Sequence, residues 1–217
     1  MIERPILFSA PMVRAILEGR KTQTRRIVKP QPSVGEWHYD EVHGALLRHD
    51  AEGIIHCRHG VESDQLLVRE TFCTCYLGHE SYQIIYAADR ARRDFSIAAG
   101  SADDQLDWLE RSMNVHGESG RPGIHMPRWA SRITLEVTQI RVERLQEISD
   151  DDAIAEGIER VGAGYQRWHP DPGDIKHEGF TMKPQLSYMG LWESINGPGS
   201  WDANPWVWVV EFQRIPQ

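Results

Sequence analysis

The residues best suited to chemistry gather early in the chain. Between positions 14 and 29 stand Arg14, Arg20, Lys21, Arg25, Arg26 and Lys29 against Glu18 alone. Six basic residues against one acid give a local charge of +5 in a chain whose formal charge is −8. Such a cluster suits a single phosphate or a short nucleic acid segment held by few contacts. A solvated basic face that pairs with the acidic surface is an equal reading. Arg69 and Glu70 stand side by side at the end of an apolar run, as an internal ion pair or as part of a pocket wall. Arg128 and Arg132 flank Trp129 and Ser131. Arginine beside an aromatic suits phosphate contact and base stacking; core packing by Trp129 with arginines on the rim is the alternative. His125 is a proton carrier or a structural histidine. Among Trp201, Trp206 and Trp208, mostly core, one could line a cleft. Cys57, His59, Cys73 and Cys75 have zinc-ligand chemistry, but their C-x-H and C-x-C spacings lack the two-residue gap of ordinary knuckles. They read as buried or edge thiols, so no metal is expected, and no cofactor.

Those residues need elements to hold them. Ser9 as N-cap, Pro11 in the first turn and Gly19 past the end bracket a short helix, with Met12, Val13, Ile16 and Leu17 on one face. Residues 21–28 read as a strand, or as a turn leading into one. Residues 30–60 read as a hairpin excursion, 65–70 and 83–87 as buried strands, and 90–120 as an insertion with a helix over 103–113. Ile133 through Leu145 is the clearest strand, with a change of apolar parity at Thr138-Gln139 that predicts a bulge. Ser149 followed by Asp150, Asp151 and Asp152 opens a helix that Gly157 ends. Residues 161–183, rich in Gly, Pro, His and Asp, read as a mobile loop. A helix over 186–195 and a strand over 207–215 close the chain. Strands separated by single helices, one of them long and bulged, predict an α+β fold built on a small β-barrel with helices over its openings.

Composition sets the outer limits. With 217 residues, 40% hydrophobic and 26% charged, the chain can bury a sizeable core. No stretch approaches the roughly 18 apolar residues that a membrane helix needs. The first twenty residues carry an early Glu3 and no apolar core of a secretory signal. Three cysteines are too few for a disulfide framework. A reduced, cytoplasmic protein without a membrane partner is expected. An acidic chain is also a poor partner for long duplex DNA, where affinity comes from many phosphate contacts. Nothing in the residues points to an oligomeric state.

The segment Gly19-Arg20-Lys21-Thr22-Gln23-Thr24-Arg25-Arg26 resembles the signature of the ASCH domain, Gly-x-Lys-x-x-Glu-x-Arg, with Gly19, Lys21 and Arg26 matching and Thr24 in place of the Glu. Bacterial N4-acetylcytidine amidohydrolases of that superfamily also carry Thr there, in a segment Ile-Leu-x-Gly-Arg-Lys-Thr-x-Thr that residues 16–24 match. Segments 67–72, 124–132 and 204–212 resemble larger, phage- and prophage-type ASCH proteins. The resemblance covers most of the chain except roughly 31–56, 90–118 and 161–184. It implies a single PUA-like domain over 1–217, a mixed β-barrel with short flanking helices and insertions at those three places. It also implies a catalytic set of Lys21, Thr24 and Glu156, the last on the helix that follows the long strand.

The residue chemistry is compatible with that set. Amide hydrolysis needs a nucleophile, a proton acceptor and a donor for the leaving amine. Thr24 can supply a hydroxyl. Lys21 can act as base once its pKa falls well below about 10.4, a shift that like charge from Arg20, Arg25 and Arg26 would drive and partial burial would add to. Glu156 at a helix C-terminus is expected to have a raised pKa, suited to proton transfer. Residues three apart on a straight strand face opposite sides, so Lys21 must lie in the turn before the strand to meet Thr24. Arg20, Arg26, Arg69, Glu70, Arg128 and Trp129 are the substrate-binding candidates. The expected ligand is a nucleoside, a nucleotide or a short RNA. The leading expectation is removal of an N-acyl group from a modified cytidine. An RNA- or modified-nucleotide-binding module without chemistry is the alternative, and a ribonuclease a further one.

Overall fold

A computed structural model describes residues 1–32, 37–48, 53–78, 81–96, 120–166 and 180–216. In chain order the elements are β1 (Glu3–Leu7), α1 (Ala10–Leu17), β2 (Gln23–Ile27), β3 (Trp37–Asp40), β4 (Ala45–Arg48), β5 (Ile54–His56), β6 (Gln65–Arg69), β7 (Phe72–Gly78), β8 (Ser81–Tyr86) and β9 (Arg92–Ser96). They continue with β10 (Thr134–Arg144), α2 (Asp150–Ala155), β11 (Arg160–Val161), β12 (Gly164–Gln166), β13 (Phe180–Thr181), α3 (Pro184–Asn196) and β14 (Trp206–Ile215). The class is mixed α+β, with strands dominant. A five-stranded sheet runs in the order β1-β6-β10-β14-β2, and three three-stranded sheets accompany it. None of the four sheets closes on itself among the described residues. No helix among them is long and apolar enough to cross a membrane.

The chain divides into two compact units. The first comprises 1–4, 15–66 and 135–215; the second comprises 5–14, 67–134 and 216–217. In the first unit, β14 reads Val207, Trp208, Val209, Val210, four consecutive buried residues. Such a run belongs to a strand covered on both faces. It pairs antiparallel with β2, Val207 opposite Ile27 through Glu211 opposite Gln23. In β10, Leu135 and Val137 are buried, Thr138 and Gln139 are exposed, and Ile140 is buried again. The burial parity thus changes where the apolar pattern does.

Helix α2 has Ser149 as N-cap, its side chain accepting from the Asp152 N–H at 3.1 Å, with three aspartates in the first turn. That arrangement satisfies a free N–H and complements the helix dipole. Helix α3 packs beside α2 and begins two residues earlier than expected, because Pro184 is accommodated in its first turn. The excursion at 30–60 forms the antiparallel sheet β3-β4-β5. The expected loop over 161–183 is corrected at both ends: β11, β12 and β13 form a small antiparallel sheet. Gly162, at φ +59, makes the tight turn that brings Val161 opposite Gly164. The strands are two or three residues long, too short to leave a periodic signal. The middle of that loop and the helix expected over 103–113 lie outside the described residues.

The second unit carries the β7-β8-β9 sheet, over a core of Phe72, Ile84, Tyr86, Met126 and Ala130. The Tyr86 hydroxyl donates to the Ala130 carbonyl at 2.9 Å, so its polar end is satisfied inside that core.

Leu135 is fully buried in β10 of the first unit. Leu135→Ala is expected to cost about 2–5 kcal/mol in urea unfolding, the usual range for a core leucine truncation. A loss below about 1 kcal/mol would mean that this strand is not in the core.

Candidate active site around a buried lysine–glutamate pair

The site is assembled from two chain reversals in the first unit, set against β14. After α1, Gly19 takes φ +73, and the Arg20 and Lys21 amides both donate to the Ala15 carbonyl, at 2.8 and 3.0 Å. This places Lys21 in the turn before β2. Lys21 and Glu156 form an isolated antiparallel bridge, and the Thr22 N–H donates to the Ala155 carbonyl at 2.9 Å. On the other side, the Phe212 N–H donates to the Thr22 carbonyl at 2.8 Å. The turn is therefore held between the end of α2 and β14. Glu156 is the C-cap of α2, and Gly157 follows at φ +87. A Cβ on Gly157 would meet the Lys21 Cβ at 2.7 Å and the Ala15 Cβ at 2.9 Å, so both conformation and space call for glycine there.

Lys21 and Glu156 are each 3% exposed. The Lys21 Nζ donates to Glu156 Oε2 at 2.8 Å and to the Glu156 backbone carbonyl at 2.9 Å. Arg25, buried, donates from Nη1 to Glu156 Oε1 at 3.3 Å and from Nη2 to Asp152 Oδ2 at 3.0 Å. It also donates from Nε to Glu143 Oε1 at 3.1 Å, and from Nη2 to the same oxygen. Arg141 extends the network to Asp152 at 2.9 Å, to Glu143 at 3.3 Å and to Glu211. Gln23 Nε2 donates to the Asp152 carbonyl at 2.6 Å. Tyr188 of α3 lies beside the network, with the Arg25 guanidinium 5.9 Å from its ring centre.

Burial is the chief cause that pulls the Lys21 ammonium below its ordinary pKa of 10.5. Glu156 opposes the shift through charge and hydrogen bonding, and Arg26 and Arg25 add to it. The direction matches the sequence expectation, but its order of causes is corrected. Desolvation leads, with Arg26 and Arg25 behind it, while the Arg20 guanidinium turns to Glu18 at 2.8 Å and to the Gly157 carbonyl at 2.9 Å. Burial also depresses Arg26, and it pushes the Tyr188 phenol up.

Thr24 is buried on β2 opposite Val210. Its neighbours Gln23 and Arg25 both reach α2, so strand alternation sends Thr24 and Arg26 to the other face. The structure thus joins Lys21 and Glu156 directly and adds Arg25, which the sequence reading had left in the basic patch. The patch itself divides: Lys21 and Arg25 are internal cations.

Arg69, Glu70, Arg128 and Trp129 belong to the second unit. Glu70 is 2% exposed and holds Arg132 through two bonds, at 2.8 and 3.0 Å. The expected Arg69–Glu70 pair is corrected by the same alternation: Arg69 donates to the Ile124 carbonyl at 3.3 Å instead. Arg132 also reaches Asp89 and lies over the Tyr86 ring at 4.0 Å. Trp129 is half-buried and packs on Phe95, ring centres 5.1 Å apart, while Arg128 is exposed. Cys57 lies in the first unit, where burial pushes its thiol up to about 11. Cys73 and Cys75 sit on β7 in the second.

A buried pair that loses one partner leaves a charge uncompensated. Lys21→Met and Glu156→Leu are each expected to cost about 3–5 kcal/mol in urea unfolding. The double variant should cost less than the sum by about 1–3 kcal/mol. Simple additivity would show that the pair does not interact.

No protein-family model, curated protein or solved structure matches the chain.

Proposed function

We propose that the chain is an ASCH-type, PUA-like protein and that it hydrolyses the N-acyl group of an acylated cytidine. The observation that carries this reading is the Lys21–Glu156 contact at 2.8 Å, with Lys21 held below its ordinary pKa by burial. The lysine of the signature segment and the glutamate at the end of the following helix thereby form one proton-handling unit.

In this reading Lys21, its proton loosened by burial, first gives that proton up and then accepts one from the nucleophile as it attacks the acyl carbon. Because β2 directs Thr24 to the face opposite Arg25, we assign water as the nucleophile. The attack gives a tetrahedral oxyanion intermediate. The C–N4 bond then breaks, and the proton gained by Lys21 passes through Glu156 to the leaving amine. The products are cytidine and a carboxylate. Arg25 is a positioning residue, since it holds Glu156 Oε1 while Lys21 holds Oε2.

The depth of burial favours one second reading. Lys21 and Glu156 at 3% exposure also suit a purely structural clamp in a module that binds RNA or a modified nucleotide without turnover.

Chromatography of N4-acetylcytidine and longer N4-acyl cytidines incubated with the protein separates the readings. Cytidine should appear with wild type and fall by about 10²–10⁴ in Lys21→Met and Glu156→Gln, each confirmed as folded by circular dichroism. No cytidine from any substrate overturns the hydrolase and leaves the binding module. Shortened RNA with intact nucleosides assigns a ribonuclease instead.

A further inference from the structure

A cleft of about 590 Å³ opens in the first unit, away from the charge network. Arg4, Lys29, Arg58, Asp64, His56 and Trp208 are among the residues that line it. That volume lies within the range of small-molecule pockets and exceeds what an inorganic anion fills.

The charges facing this cleft are unbalanced. Arg4, Lys29 and Arg58 stand against one lining carboxylate, Asp64, which is already committed. Asp64 accepts from the Ile2 amide at 2.7 Å and from the Val61 amide at 3.3 Å. It faces Arg4 Nε at 3.7 Å, an ion pair beyond hydrogen-bonding distance. Arg4 Nε is buried and has no hydrogen-bond partner among the described residues. Lys29 and Arg58 are exposed and have no acidic partner among the described residues. His43, also on the lining, is already paired with Asp40 at 2.7 Å.

The floor is preformed. Gly60 takes φ +97, and a Cβ there would meet Asp64 Oδ2 at 2.5 Å and Arg4 Nε at 3.1 Å. The loop therefore closes tightly around the Arg4–Asp64 pair. The positive field shows on its neighbour His59, whose pKa falls to about 4 through burial and then through Arg26, Arg58 and Arg4. Trp208 and Ile27 supply apolar wall. Cations with no acidic partner among the described residues, beside a lining tryptophan that is itself largely buried, in a space larger than a simple anion, match a phosphate joined to a flat heterocycle.

We propose that this cleft binds a nucleotide, with its phosphate held between Lys29 and Arg58 and its base directed toward the Trp208 wall. The phosphate comes either from a free nucleotide or from an RNA strand. The site shares no residue with the Lys21–Glu156 pair, so it stands or falls independently of the hydrolase reading.

The test is equilibrium binding to the full chain, by calorimetry, of CMP, cytidine, inorganic phosphate and a short single-stranded RNA. CMP should bind saturably, with cytidine and phosphate each at least about tenfold weaker, one charge-assisted contact being worth that much. A Lys29→Ala/Arg58→Ala variant should lose about tenfold or more for CMP, while Lys21→Met keeps wild-type affinity. Both replaced side chains are exposed, so the variant should fold; its melting curve checks this. RNA binding tighter than CMP, with a salt dependence that weakens in the double variant, assigns the strand. CMP binding tighter than RNA assigns the free nucleotide. Equal affinity for CMP and cytidine, an unaffected double variant, or no saturable binding overturns the proposal.

Discussion

The first unit depends on burying ions in hydrogen-bonded contact. Lys21, Arg25 and Glu156 have almost no access to water, and moving such groups out of water costs several kcal/mol per ion. Only dense pairing offsets that cost. Lys21 takes both the carboxylate and the backbone carbonyl of Glu156, and Arg25 spreads its donors over Glu156, Asp152 and Glu143. The backbone is recruited to the same end, through the Lys21–Glu156 bridge and the glycine at 157. Removing any one member strands the charge of another, which ties the turn after α1, the end of α2 and strands β2 and β10 into one unit. A hydrophobic replacement could supply comparable stability. The retention of ions here is therefore best read as serving proton transfer or register.

Some of this was legible in the residues. Gly19 after an amphipathic helix announced the turn, Ser149 with its three aspartates announced α2, and Gly157 announced its end. Lys21 and Glu156 were singled out only through the resemblance of their segments to a family pattern. The turn and the two ends of α2 rest on local rules of capping and turn geometry, which act within a few residues.

What escaped was long-range. Arg25 reads as one cation of an exposed cluster, because the acids that bury it lie 118 to 131 residues away. Strand parity held a partial clue, since Lys21, Gln23 and Arg25 alternate on one side and all three reach α2. Glu70 likewise looks paired with its neighbour until the fold brings in Arg132 from 62 positions downstream. The β11–β13 sheet was hidden for another reason: strands of two or three residues carry no periodicity. Lys29 separates from the same cluster in a different direction, toward the cleft lined by Arg4 and Arg58.

The account centres on Lys21 as a buried amine that releases its proton easily. The direct measurement is a pH titration of the lysine Cε signals by NMR, with Lys21 assigned through Lys21→Met. Lys21 should titrate below 10.5, because burial outweighs the Glu156 charge. Since Glu156 raises the Lys21 pKa, Glu156→Gln should move the midpoint lower still. A depressed folded-state pKa also means that the unfolded chain binds the extra proton, so this group adds stability as pH rises toward 10.5. A Lys21 midpoint at or above 10.5 would contradict the account, leaving the pair a structural clamp with no base in it.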